Sequence, residues 1–198
     1  AGRVEKAYLA IALGHPREDR FRVAAPLRLT GASGVRVRMH VDPSGLEAST
    51  ELEVVGRRRA PDGAPVSLLA CRPRTGRQHQ IRAHLHHAGL RLVGDKIYGP
   101  DEMIFDRFTR GALSGEDRAA LRLPRQALHA WRLSLPHPRT GERVELEAPI
   151  GDATPDHEAG RRPALRRSGP AAACRRRFPG RRSRGRSRPG SPRPAGAG

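Results

Sequence analysis

The chain has 198 residues and a formal net charge of +18. That length suits one domain with a hydrophobic core plus appendages, and no apolar run approaches the ~20 residues that a membrane helix needs. Its two cysteines, Cys71 and Cys174, lie far apart and support no disulfide framework, so a reducing cytoplasm is the expected compartment. The chain begins with Ala1 and enters a strand-like run at once, which indicates a fragment or a truncated reading frame.

The positive charge is unevenly distributed. Residues 151–198 contain 13 arginines and three carboxylates, a net +10, and residues 1–150 carry the remaining +8. A basic body suits a polyanion such as nucleic acid, because each neutralised phosphate releases counterions. A coding bias towards arginine, with solvated surface charge, explains the same composition equally well.

The first half of the chain predicts an antiparallel sheet. Residues 3–13 alternate polar and β-favouring side chains and stop at Gly14-His15-Pro16, as a strand ending in a turn does. Residues 17–34 are polar and turn-rich and predict a surface excursion, and residues 57–64 predict a hairpin-like loop. Three further stretches read as strands: residues 35–41, 50–55 and 66–72.

A helix is predicted from Gly76 to Ala88, with Thr75 as its N-cap and Gly89 closing it. An apolar stripe follows at helical spacing: Ile81, Leu85 and Ala88. A second, polar face carries residues four apart: Gln78, Arg82 and His86.

The second half adds fewer elements. Residues 101–122 predict a loop and a short helix, and residues 126–135 with 143–148 a final hairpin. From Asp152 the composition cannot bury enough apolar area to offset its ordering entropy, so a disordered tail is predicted, with or without a role in touching RNA. The predicted fold is therefore α+β, a mixed, mainly antiparallel sheet with a few flanking helices over residues 1–150, followed by a disordered basic tail over 151–198.

One polar stretch, residues 74–85, continues through an apolar segment into residues 92–99. Arg77 would lie near a helix N-terminus, where backbone amides also favour phosphate. Arg82 would lie at the edge of the core and need a carboxylate partner. Asp95 is predicted to order its turn through side-chain to backbone hydrogen bonds. The ordinary alternative is a solvated helix face without a special role.

The histidines of the sequence do not predict a metal site. Four histidines crowd the predicted helix: His79, His84, His86 and His87. None reproduces the H-E-x-x-H spacing, no cysteine is near, and the spacings mix helix faces.

The stretch Thr75-Gly76-Arg77 with His79-Gln80-Ile81-Arg82, followed by Gly94-Asp95 and Tyr98-Gly99, resembles the signature of the RluA-type pseudouridine synthases. Lys6-Ala7-Tyr8-Leu9-Ala10 resembles the same family's K-x-Y-x-A strand, and His129-Ala130-Trp131 its late LHA segment. The resemblance covers roughly residues 3–149. A third family motif, close to HRLD-x-x-T-S-G and holding the catalytic aspartate, is not found in these 198 residues.

The resemblance implies a pseudouridine synthase-like fold and the isomerisation of uridine to pseudouridine in structured RNA, without a metal or organic cofactor. It assigns catalytic roles to Tyr8 and Arg82, the arginine pairing with the catalytic aspartate. RNA contacts fall to four residues: Lys6, Arg77, Gln80 and His84. Ribosomal RNA is the expected substrate ahead of transfer RNA, and the protein is expected to be a cytoplasmic monomer.

Without the nucleophilic aspartate, residues 1–198 are expected to be inactive alone. The alternative is a non-catalytic RNA-binding remnant that uses its basic surface and arginine-rich tail.

Overall fold

The computed structural model describes residues 4–30, 37–150 and 164–167. Across these residues the strands and helices are β1 (Glu5–Leu13), β2 (Arg20–Ala24), β3 (Leu27–Leu29), β4 (Met39–Val41), β5 (Ser49–Arg59), β6 (Pro65–Pro73), α1 (Gln80–His87), α2 (Ile104–Thr109), α3 (Gly115–Leu121), β7 (Leu128–Pro136), β8 (Arg143–Glu147) and β9 (Ala164–Arg167). The α+β class predicted from the sequence is confirmed.

Seven strands form one antiparallel sheet in the order β2-β5-β6-β1-β7-β8-β9, and β3 pairs with β4 in a separate ribbon. The motif strand β1 is therefore the central strand, with β6 on one side and β7 on the other. The small side chains of Ala10 and Ala12 are buried on it, which lets other elements pack closely over its middle.

The helix α1 packs on one face of the sheet, called here the helix face. The cluster beneath it joins α1 to the central strands: Ala10 and Ala12 of β1, Leu69 and Cys71 of β6, Leu52 of β5, and Ile81 and Leu85 of α1. The side chains of Leu9 and Ile11 project to the opposite face, since successive strand residues alternate. A second cluster, around Leu27, Met39 and Tyr98, joins the β3–β4 ribbon to the turn that follows α1.

The predicted helix exists but begins later than expected. It starts at Gln80 rather than Gly76, because His79 takes a left-handed conformation with φ of 52° that a helix cannot continue. Thr75 is not its N-cap, since its hydroxyl instead donates to the Gln80 side chain at 2.7 Å. The end was predicted correctly: Ala88 caps the helix and Gly89 follows with φ of 73°.

Residues 17–34 are not only the surface excursion that their polar composition predicted. It contains β2 and β3, and β2 pairs with β5 so that Phe21 and Val23 reach the core. Short strands with polar flanks give a weak period-two signal, which is why the pattern missed them. The predicted strand at 35–41 is β4 over its last three residues, and β5 extends to Arg59 into the predicted loop.

Residues 101–122 hold two short helices where one was predicted. The second, α3, begins with a capping box in which Ser114 and Asp117 each bond the other's backbone amide. None of the helices in the described segments combines the length and apolarity required to cross a bilayer.

The predicted boundary at residue 150 and the predicted disordered tail fall mostly outside the described residues, so they stay predictions. Within that range the structure describes only β9, which pairs with β8.

Candidate functional site

Lys6 and Tyr8 lie two residues apart on β1 and therefore share a face of the sheet. Tyr8 is half-buried and packs against the cluster that contains Ile81, so that face is the helix face. The Lys6 Nζ lies 3.8 Å from the position that a Cβ on Gly76 would take. The structure thus brings Lys6 to the turn that precedes α1.

A β-bulge lies directly beside Tyr8. On β7, Ala130 pairs with Tyr8 and Arg132 pairs with Ala7, which leaves Trp131 as an extra residue between them. The Arg132 guanidinium stacks 3.8 Å from the Trp131 ring centroid, and the indole N–H donates to Glu147 at 3.2 Å. The bulged strand bends and twists more strongly, so this bulge redirects the side chains of β7 directly beside the tyrosine. The alternation predicted for this strand missed it.

Arg77 lies in the turn before α1 rather than in the helix. Its Nε donates to the backbone carbonyl of Glu47 at 3.0 Å, while the side chain is exposed. The helix N-terminus therefore does not assist it as predicted, since α1 begins three residues later. Arg77 is an exposed cation next in sequence to Gly76, beside which the Lys6 Nζ lies.

Gln80 is the first residue of α1, and its side chain is only 4% exposed. Its Nε2 donates to the Ser49 carbonyl and to the Thr50 Oγ1, each at 3.0 Å. Its Oε1 accepts from the Thr75 hydroxyl at 2.7 Å and from the Arg77 amide at 3.0 Å. The carboxamide therefore fastens α1 to β5 and to the turn before it.

His84 lies one helical turn further along the same face and is completely buried. Its Nε2 is 3.0 Å from the Ala25 carbonyl, which can only accept, so this nitrogen carries the hydrogen. Its Nδ1 then accepts from the Thr50 hydroxyl at 2.9 Å. Burial lowers the pKa of His84 and keeps the imidazole neutral.

These contacts correct two predictions. Gln80 and His84 were expected to bind RNA, but both are buried and their polar groups already bond protein atoms. The two residues lie one helical turn apart on the same side of α1, and both bond Thr50 of β5. Their polar character serves the attachment of the helix.

Arg82 points away from β5 and makes a bidentate ion pair with Asp95. The Arg82 Nε lies 2.7 Å from Oδ2 and Nη2 lies 2.6 Å from Oδ1. The Asp95 side chain has no solvent exposure and that of Arg82 has 11%. Burial alone would raise the pKa of Asp95, but the Arg82 guanidinium and two backbone amides outweigh it and lower that pKa.

The two amides belong to Ile97 and Tyr98, which donate to the Asp95 Oδ1 at 2.9 and 3.0 Å. The prediction that Asp95 orders its turn is confirmed. The sequence did not predict that Asp95 is the carboxylate partner of Arg82. This pair uses the Nε edge of the guanidinium, and the Arg82 Nη1 has no hydrogen-bond partner within residues 4–30, 37–150 and 164–167.

Tyr98 completes this half of the site. The ring is 1% exposed, and its hydroxyl accepts from the Met39 amide at 2.8 Å. The guanidinium carbons of Arg82 and Arg38 lie 5.1 and 5.6 Å from the ring centroid, and the His79 ring meets it edge-on at 5.8 Å. The left-handed backbone of His79 is a strain of the kind that persists at functional sites.

Sequence reasoning missed Arg38 and the role of Tyr98. The tyrosine stood in the G-D-x-x-Y-G motif, which was a usable signal, but it was assigned only to a turn. Arg38 stood in a strand-like stretch far from the motifs and offered no signal of its own.

Neither a metal centre nor a reactive thiol stands out in the described segments. No three of their His, Cys, Asp or Glu side chains converge as metal ligands would, and the crowded histidines of α1 face different neighbours. Cys71 is buried beneath α1, and burial raises the pKa of its thiol to about 12.

Comparison with known proteins gives consistent results. Residues 1–87 match a family model described as RNA pseudouridylate synthase. Ribosomal large subunit pseudouridine synthase D of Nitrosomonas europaea is 39% identical over 153 residues, which is 75% of this chain and 38% of that protein. Ribosomal large subunit pseudouridine synthase C of Escherichia coli (strain K12) is 36% identical over 150 residues, which is 75% of this chain and 42% of that protein.

A solved structure, that of human RNA Pseudouridylate Synthase Domain Containing 1, superimposes with a TM-score of 0.58 at 31% identity. The superposition covers 75% of this chain and 55% of the human chain. The present chain spans about two fifths of the length of the curated relatives described above, 38% and 42%.

Proposed function

Since the chain belongs to the RNA pseudouridylate synthase family, we propose that it acts in the isomerisation of uridine to pseudouridine in structured RNA. The single observation that carries this proposal is the convergence of Lys6, Tyr8 and the Arg77 turn on the helix face of the central strand. The two cations suit RNA phosphates. The half-buried tyrosine offers a ring on which a base extruded from its stack can pack.

In this proposal Arg82 is a cation held in a fixed orientation beside the reacting groups. Asp95 and Tyr98 fix its orientation, and its Nη1 group is left for a further acceptor. By family resemblance that acceptor is the catalytic aspartate. Asp95 is unsuited to be that nucleophile, because it is buried and its oxygens accept from Arg82, Ile97 and Tyr98.

The substrate is proposed to be ribosomal RNA. The supporting observation is that relatives in Nitrosomonas europaea and Escherichia coli carry the name ribosomal large subunit pseudouridine synthase. Transfer RNA is the second choice. A cytoplasmic location and a monomeric state belong to the same proposal.

Chemistry needs a nucleophile that residues 1–198 do not provide, since they contain no HRLD-x-x-T-S-G run. The test is therefore a chimera in which a segment with this motif, of the kind that the family resemblance describes, is fused ahead of Ala1. We expect residues 1–198 alone to bind ribosomal RNA without forming pseudouridine, and the chimera to form it. Tyr8→Phe in the chimera should remove product while RNA binding and thermal stability are retained.

A folded chimera that binds RNA but forms no pseudouridine would contradict the proposal and would favour a non-catalytic RNA-binding protein. Product formed by residues 1–198 alone would contradict the requirement for the missing aspartate.

A further inference from the structure

The end of the sheet away from Lys6 carries four exposed arginines: Arg17, Arg58, Arg59 and Arg91. They surround the C-terminal end of β1 and are called here the β1-end arginines. None of the four has a carboxylate within ion-pair distance among the residues described in the structure. Within the described part of the chain, the guanidinium groups of Arg58 and Arg59 donate only to backbone carbonyls, those of Arg57 and Gly63 respectively.

Two of these arginines stand in one row across the sheet. Arg58 of β5 pairs with Val66 of β6, and Val66 pairs with Leu13 of β1. On the other side of β1, the Leu13 amide donates to the Arg91 carbonyl at 2.8 Å. Residues in one row project to the same face, which for Leu13 is the face opposite the helix face. Arg58 and Arg91 therefore lie on that opposite face. Three strand spacings of ~4.8 Å separate them, a distance of about 14 Å.

The other two arginines lie around the same end. Residues 14–19 cross this end of the sheet on the helix face. Two hydrogen bonds hold them there: the Ser67 hydroxyl donates to the Gly14 carbonyl at 2.8 Å, and Arg57 donates to the Pro16 carbonyl at 3.1 Å. Arg17 lies in this segment beside a groove of about 430 Å³ that extends to residues 88–90, directly after the end of α1. Arg59 is the last residue of β5, at the start of the β5–β6 hairpin loop.

The acidic groups near this end do not cancel its charge. Asp19 pairs with Arg57 at 2.7 Å and Asp62 pairs with Arg122 at 2.7 Å, so both are already neutralised by other arginines. Glu18 is the remaining carboxylate of these segments, against four cations. The net charge of the exposed side chains at this end is therefore positive.

We propose that the β1-end arginines form a second RNA-binding surface that holds the phosphate backbone of a helical stem. This inference rests on the proposed function and identifies how the same RNA is held outside the site. The surface offers four cations, and among the described residues around this end His15 is the one exposed ring, with its Nε2 3.1 Å from the Arg58 carbonyl. Single strands are held by stacking on several aromatic side chains, so this charge pattern favours the phosphates of a stem. The surface lies about 17 Å from Tyr8 along the strand at ~3.3 Å per residue, so the stem and the target uridine are held at separate places.

The test compares two double variants of the full chain with equal changes in net charge. Arg58→Gln with Arg91→Gln removes two of the β1-end arginines. Arg28→Gln with Arg110→Gln removes two exposed arginines elsewhere, which pair with Asp42 and Asp106. Affinity for a hairpin RNA with a stem of about two turns, and for an unpaired RNA of equal length, is measured from 0.05 to 1 M salt.

Each lost phosphate contact lowers the slope of log affinity against log salt by about 0.9, so the first variant should lose about 1.8 and bind the hairpin about 60-fold more weakly at ~0.1 M salt. The loss should vanish near ~1 M salt and be smaller for the unpaired RNA. The control variant should keep the wild-type slope.

A first variant that matches the control would overturn this inference and leave the proposed function standing. A wild-type chain that binds neither RNA would overturn both.

Discussion

Asp95→Asn isolates the charge of the buried ion pair from the shape of the turn. Asparagine retains an oxygen that can accept from the Ile97 and Tyr98 amides, so the turn is preserved. Arg82, 11% exposed and stacked on Tyr98, loses its carboxylate. Removing one partner of a buried pair costs about 3–5 kcal/mol. We expect about 3 kcal/mol here, because the arginine retains some solvent contact.

The assay is equilibrium unfolding in urea. With a slope of about 2 kcal/mol per molar for a protein of this size, the midpoint should fall by about 1.5 M. Asp106→Asn is the matched control, since its pair with Arg110 is exposed, and it should change stability by less than about 0.5 kcal/mol. A loss below about 1 kcal/mol in Asp95→Asn would refute the reasoning.

The pH dependence provides a second check. The folded pKa of Asp95 is lowered, so the stability it contributes is present above the unfolded pKa of about 3.9 and is lost as pH falls through the folded value. The difference in unfolding free energy between wild type and Asp95→Asn should therefore be constant from pH 8 to 5 and narrow below pH ~4. Arg82→Met combined with Asp95→Asn should cost less than the sum of the two single changes.

Three further outcomes follow from the buried polar contacts and one glycine. Thr50→Val should lower the unfolding free energy by about 2–3 kcal/mol in urea titrations, because it leaves buried groups of Gln80 and His84 without partners; an unchanged midpoint would contradict that bonding. The pKa of His84 is lowered in the folded protein, so its contribution to the unfolding free energy is complete above the unfolded pKa of about 6.5 and declines as pH falls below that value. In His84→Gln, the plot of unfolding free energy against pH should be flatter below about 6.5. Gly94→Ala should lower the melting temperature much more than Gly63→Ala: both have positive φ, but only at Gly94 would a Cβ meet a backbone carbonyl, that of Arg125. Equal losses would contradict that close approach.

The sequence predicted the sheet well because most strands show period two, and β1, β5 and β6 appear where alternation predicted them. It predicted the end of α1 from Gly89 but not its start, because nothing local announces that His79 takes a left-handed conformation. It could not show that Gln80 and His84 turn inwards. Their burial depends on Thr50 and Ala25, which lie 30 or more residues away in the chain.

The sequence named candidate site residues only where they stand in motifs. Lys6 and Tyr8 share one strand, and Lys6 lies beside Gly76 in the turn that also carries Arg77. The roles of these residues stay predictions. The partnership of Arg82 with Asp95 and the approach of Arg38 to Tyr98 join segments whose spacing has no period, so only the folded chain reveals them. The bulge at Trp131 has the same origin, since it exists only as a mismatch between two paired strands.

The attachment of α1 has a consequence for how this protein folds. An isolated helix of eight residues is not stable in water, because nucleation is costly and few hydrogen bonds follow it. Its polar anchors find their partners on β5 and at Ala25, contacts that close loops of 30 and 59 residues. The helix should therefore gain protection from hydrogen exchange only after β5 has joined the sheet, which makes its amides late reporters of assembly in a pulse-labelling experiment.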